Sequence, residues 1–227
     1  MPDGPLTLPA ELCLLTWDTR TGKPAAPASL PYLVRAGALT ELALRGMLLD
    51  DDGTATPVPD AETGDPVLDG LLELIEESRP RTWKTWVGHD TGPTLRAVRA
   101  QLRDTGRVGT RHRRVLGVFP VKDHVLESTA EAEGLRERAL RVLHGPGGVA
   151  EVSDRDAALI ALAAAGELRT VVSAGDAEAY QERIAALGER GGLAAPALKK
   201  VMGEVQAALI AAVTTAVLVP TITSGGS

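Results

Sequence analysis

Arg96, Arg99, Arg103 and Arg107 recur at spacings of three and four residues. At about 100° per residue, that spacing places all four guanidinium groups on one helical face. Each is a planar fork of donors matched to phosphate or carboxylate oxygens, and each stays charged at any physiological pH. Arg111, His112, Arg113 and Arg114 follow closely, so the segment 96–114 carries seven arginines against one acid, Asp104. Its local charge is +6, in a chain whose formal net charge is −6. One basic stripe on an otherwise acidic protein implies an anionic partner. The alternative is a solvated face paired with the acids of neighbouring helices. Inositol phosphates, anionic lipid headgroups and a nucleic-acid backbone fit this charge equally well.

The elements that must hold these groups are legible around them. Leu95, Val98 and Leu102 fall together on a second face, which makes the segment an amphipathic helix with an apolar seam. Gly106 is placed to end it. The alternating run over 108–121 then predicts two short strands, with Arg111, His112, Arg113 and Arg114 around their bend. The apolar residues of that hairpin, Val115, Leu116, Val118 and Phe119, suit insertion into the interfacial layer of a membrane or pairing with a second subunit.

A chain of 227 residues suffices for one large domain with a sizeable core. Hydrophobic residues make up 44% but aromatics only 3%, so alanine, leucine and valine fill the interior, a composition that favours helix packed on helix. The lone Cys13 excludes an internal disulfide framework and fits a reducing cytoplasm. No basic, apolar signal sequence opens the chain, which predicts a cytoplasmic location. The most apolar run, 205–219, has a core of about 13 residues, short of the roughly 20 that span a bilayer, and reads as a buried helix.

Periodicity, proline and glycine predict further helices over 9–17, 31–45, 66–78, 81–88, 130–143, 154–165, 176–187 and 195–219. The segment 47–59, turning at Asp50-Asp51-Asp52-Gly53, predicts another hairpin. The glycine-rich stretch 145–148 is a loop and not a domain spacer. The expectation is one mainly α domain over 6–219, a helical core ringed by amphipathic helices with one or two short β-hairpins, and flexible termini at 1–5 and 220–227. Segments 34–59 and 95–121 both run helix, glycine, hairpin, which is the outline of a winged-helix unit.

Catalytic machinery finds no support in the residue spacing. The chain has no P-loop, no dinucleotide fingerprint and no G-x-S-x-G elbow. His89, His112, His124 and His144 lie too far apart for a local metal site, and no CxxC or HExxH accompanies them. Cys13 reads as a buried, inert thiol in an apolar helix. The Asp50-Asp51-Asp52 triplet lacks the further ligands of a calcium loop, and Trp83 and Trp86 share a face suited to packing. No catalytic residue, metal or cofactor is expected, and the arginines carry the functional reading.

At Glu41-Leu-Ala-Leu-Arg-Gly46 the chain begins to resemble the Golgi phosphoprotein 3 family. Leu6-Thr-Leu8 followed by Glu11 and Leu14-Leu15 is similar to that family's opening, and Asp18-Thr-Arg-Thr-Gly22 to its first turn. Thr63-Gly-Asp65 with Leu68-Asp69 and the helix over 71–77, the arginine helix and hairpin, the segment 156–168 and the final helix over 204–217 follow in the same order. The likeness covers about 6–219 and lacks the long polar N-terminal extension of eukaryotic members, so the chain resembles a compact prokaryotic relative.

The resemblance implies a helical single domain with a protruding hairpin that serves oligomerisation. It also implies a non-enzymatic peripheral membrane protein that binds phosphatidylinositol 4-phosphate in a basic pocket. Arg35, six residues before Glu41, falls where the family has a headgroup arginine, and Arg96 and Arg99 correspond to the pair on the later helix. Arg103, Arg107, Arg111, Arg113 and Arg114 would supply supporting basic surface. The pocket's tryptophan has no counterpart around Ala25-Ala26-Pro27, which favours a less selective preference for anionic lipid at the cytoplasmic face of a membrane. Two other readings remain: a scaffold that forms a homo-oligomer through the 108–121 hairpin, and winged-helix-like nucleic-acid binding. The acidic remainder of the chain disfavours the latter.

Overall fold

The computed structural model describes residues 5–25, 27–115, 119–190 and 196–218. In chain order, α1 (Leu8–Leu14) is followed by a two-residue pairing of β1 (Trp17–Asp18) with β2 (Lys23–Pro24) and then by α2 (Leu30–Leu44). The hairpin of β3 (Leu48–Asp51) and β4 (Thr54–Pro57) leads to α3 (Pro66–Glu76), α4 (Trp83–Gly88) and α5 (Thr91–Asp104). A second hairpin, β5 (Val108–Val115) with β6 (Phe119–Leu126), precedes α6 (Thr129–His144), α7 (Asp154–Ala165), α8 (Ala174–Ala179), α9 (Gln181–Arg190) and α10 (Pro196–Leu218). The protein is thus mainly α, with three two-stranded antiparallel sheets among the described residues. Residues 1–4 and 219–227, most of the expected flexible termini, lie outside the described residues.

Helix α2 is the hub, touching α1, α4, α5, α7 and α10. Its apolar side chains Leu33, Val34, Leu39 and Leu42 are fully buried, each worth about 1.5–3 kcal/mol relative to exposure. Helices α1 and α2 approach so closely that a Cβ at Gly37 would stand 2.7 Å from Leu12 Cδ1 and 3.2 Å from Pro9 Cα. Local chemistry sets many element ends. Asp65 caps α3 by accepting from Val67 N and Leu68 N, Thr82 caps α4 and Ser153 caps α7. Gly46 and Gly106, both at positive φ, follow α2 and α5 and turn the chain into the hairpins. Both helix–glycine–hairpin units are therefore present.

Three sequence expectations shift. The first helix ends at Leu14 rather than continuing to residue 17, and Trp17 pairs in β1 with Pro24. The helix expected over 176–187 divides into α8 and α9, because a Ser173–Asp176 capping box starts α8 early and Tyr180, at φ −114°, leaves the helical region. Strands β5 and β6 are eight residues each, in register from Val108↔Leu126 to Val115↔Phe119. Arg111, His112, Arg113 and Arg114 therefore lie along β5 and not at its bend. The ladder runs on through polar positions, with Arg111 opposite Asp123. Leu116 and Val118 lie outside the described residues, and residues 111–124 are described by backbone pairing alone.

Behind the hub lies a charged seam. Glu11 on α1 and Glu41 on α2 are only 3% and 5% exposed. Arg155 on α7 bridges them, with Nη1 2.8 Å from Glu11 and Nε 3.3 Å from Glu41, while its Nη2 donates to Leu6 O at 2.6 Å. Arg138 on α6 reaches Glu11 at 2.7 Å and Asp156 at 3.2 Å. Glu41 also accepts from Leu8 N at 3.0 Å and from Arg45 Nη2 at 2.7 Å. The Glu41 and Arg45 of the ELALRG motif thus anchor the start of α1 and clamp it to α2 and α7. Burial pushes the Glu11 carboxyl above its ordinary range even though Arg155 and Arg138 pull the other way. Breaking such a seam leaves an uncompensated buried charge. Arg155→Ala is therefore expected to lower unfolding stability by about 3–5 kcal/mol, read as a drop in urea midpoint. An unchanged midpoint would show that the two carboxylates hold without it.

Candidate functional site

The first turn of α5 is where two of the three expected headgroup arginines are placed, one buried and one exposed. Asp90, its N-cap residue, adopts a left-handed conformation at φ 43°. Arg35, two turns into α2, crosses to this corner: its Nη2 donates to Asp90 O at 2.7 Å and its Nε to Thr94 Oγ1 at 3.0 Å. The side chain is completely buried, and Nη1 has no hydrogen-bond partner among the described residues. Burial lowers the Arg35 pKa to about 10, with the Asp90 charge acting in the opposite sense, so the group is cationic at neutral pH. Arg96 turns back along α5, its Nη1 3.0 Å from where a Cβ on Gly92 would stand. Glycine at 92 leaves that space open. Both guanidinium groups thus lie at the first turn of α5, Arg35 buried and Arg96 exposed, where the helix dipole favours negative charge.

Arg99, the third expected residue, lies one turn further along α5 and lines a separate recess with Cys13, Trp17, Pro24 and Leu30. Trp17 is 7% exposed and comes from β1. An aromatic wall therefore stands beside Arg99, supplied by a segment other than the one around Ala25-Ala26-Pro27, of which Ala26 lies outside the described residues. Arg103 is exposed on the same helix. Arg107 does not continue the stripe: Gly106, at φ 70°, turns the chain, and Arg107 Nε donates to both carboxylate oxygens of Glu131 at 3.0 Å. Arg111, Arg113 and Arg114 belong to β5, away from the α5 corner along the chain.

Helical period found the exposed arginines but not their partners. Thr94 and Asp90 stand 59 and 55 residues from Arg35 in the chain. The usable signal was local, the Asp-Thr-Gly-Pro-Thr run at 90–94, which combines a helix start with a residue too small to block Arg96.

The family model for Golgi phosphoprotein 3 (GPP34) matches residues 8–205. The chain belongs to the Golgi phosphoprotein 3 family. Comparison with curated proteins gives no match. The match takes in the whole corner formed by Arg35, Asp90, Thr94 and Arg96, the Arg99 recess and the β5–β6 hairpin. Among the described residues, no helix is long and apolar enough to cross a membrane.

The recess also fixes the chemistry of its thiol. Cys13 is buried, and desolvation pushes its pKa up to about 11, with Arg99 nearby pulling it down. A thiol so placed is almost wholly protonated at pH 8. Native protein at pH 8 is expected to react with a disulfide reagent at least about a hundredfold more slowly than urea-unfolded protein. Equal rates would mean that Arg99 activates the sulfur and the recess is open.

Proposed function

We propose that this protein is a peripheral membrane protein that binds anionic lipid headgroups without catalysis. The best-fitting class is a phosphomonoester such as that of phosphatidylinositol 4-phosphate. The observation that carries the reading is Arg35: a fully buried cation whose Nη1 is unpartnered at the N-terminus of α5. A buried charge without a full set of hydrogen bonds is costly, and a phosphate oxygen is the acceptor that relieves it best. Arg96 closes the other side of the same turn, and Arg99 with Trp17 offers a cation beside an aromatic surface one turn away. Family membership supports the same reading.

In this mechanism Arg35, completely buried and held by Thr94 and Asp90, fixes a positive charge beneath the corner. Arg96 and Arg99 supply adaptable contacts, and Arg103 with the β5 arginines adds general attraction of about 1 kcal/mol per charge near an anionic surface. Location at the cytoplasmic face of a membrane follows from that role. The β5–β6 ribbon, to which no third strand pairs among the described residues, is the element through which a homo-oligomer would form.

Cosedimentation with liposomes tests the site. Wild-type protein is expected to pellet with phosphatidylinositol 4-phosphate vesicles more than with phosphatidylglycerol, cardiolipin or neutral vesicles. Charge reversal at both Arg96 and Arg99 should weaken capture at least about a hundredfold while the far-ultraviolet spectrum is unchanged. Capture that survives both reversals would move the site elsewhere. Removing 111–119 should shift the gel-filtration volume toward a monomer; an unchanged volume would discard the ribbon as an assembly element.

A further inference from the structure

The opposite end of the α2–α5 pair holds a second cleft, of about 400 Å³, a volume in the range of small-molecule sites. It opens between the C-terminus of α2, the start of α3 and the last turn of α5. Arg45 and Arg107, from different elements, both line it. Each is braced from behind by a carboxylate. Glu41 takes the Nε–Nη2 edge of Arg45, at 2.9 and 2.7 Å, and Glu131 takes Arg107 Nε. A guanidinium gripped along one edge is fixed in direction and still carries donors on its other side.

The remaining wall mixes hydroxyl and amide groups with the apolar Pro5, Leu6 and Leu102. Asp65 is the acid among the described lining residues, and its charge is already engaged: Oδ1 accepts from Val67 N and Leu68 N, and Oδ2 from Gln101 Nε2 at 2.6 Å. Thr105 and Gln101 stand on the α5 side. Thr7 is 5% exposed, lines the same cleft, and its Oγ1 has no hydrogen-bond partner among the described residues. A buried hydroxyl left unpaired costs roughly what a lost hydrogen bond does, so its presence in a cleft points to an absent polar occupant.

We propose that this cleft binds a small organophosphate, with the phosphate between Arg45 and Arg107 and its hydroxyl groups against Thr7, Gln101 and Thr105. Two fixed guanidinium forks match phosphate oxygens, and the surrounding donors and acceptors match a polyol better than an apolar chain. The site is distinct from the Arg35–Arg96 corner and does not depend on the lipid reading.

Calorimetric titration with glycerol 3-phosphate tests it, using protein in which Arg96→Glu and Arg99→Glu have removed the lipid-site cations. Saturable binding is expected to persist in that protein and to be at least tenfold tighter than for inorganic phosphate. Arg107→Gln should weaken it at least tenfold. Because Arg107 also braces Glu131, Thr105→Tyr, which adds bulk to the cleft wall and leaves both residues of that pair in the chain, should weaken it equally. Absence of saturable binding, loss of binding with the Arg96 and Arg99 reversals, or full binding by both cleft variants would each overturn the assignment.

Discussion

The shared grip of Arg155 on Glu11 and Glu41 is the constraint on which the arrangement rests. Apolar burial alone would hold helices of this composition together, but in many registers, since alanine- and leucine-rich faces are interchangeable in shape. Two buried carboxylates tolerate few alternatives. Each must meet its arginine, and Glu41 must also meet the Leu8 amide, so α1, α2 and α7 can pack in one relation. Gly37 makes that relation close enough for α1 to lie flat on α2. The seam thereby fixes the direction of α2, and with it where Arg35 is buried against α5 and where Arg45 meets the cleft.

Two arginines on one helix are treated in opposite ways. Arg45 is held along one edge by the Glu41 carboxylate at 2.7 Å, which ties it to the buried seam. Arg35, ten positions earlier, is given a carbonyl and a hydroxyl, neutral acceptors that orient the guanidinium, with the Asp90 charge close by. A chain of net charge −6 can still carry a locally positive field, because bulk charge is screened within about 8–10 Å.

Elements with chemical punctuation were legible in the sequence. Asp65-Pro66 announced α3, Gly46 and Gly106 announced the ends of α2 and α5, and the apolar seam Leu95, Val98, Leu102 announced the buried face of α5. Boundaries without such signals drifted, as at Tyr180, where a side-chain cap upstream reset the phase of the helix. The site was legible in part. Period alone put Arg96, Arg99 and Arg103 on one surface, but it extended the stripe to Arg107, which a single glycine redirects to Glu131. The burial of Arg35, the approach of Trp17 to Arg99 and the role of Glu41 all depend on partners far away in the chain, and no local pattern encodes them.

Helix α5 also acts as a spacer. Its 14 residues measure about 21 Å, with the guanidinium corner at the first turn and the cleft at the last. That length is at least twice the screening distance in physiological salt, so an anion held at one end exerts little repulsion on an anion held at the other. If both proposals hold, this one helix would carry a phosphate site near each end, with Leu102 lining both the Arg99 recess and the cleft.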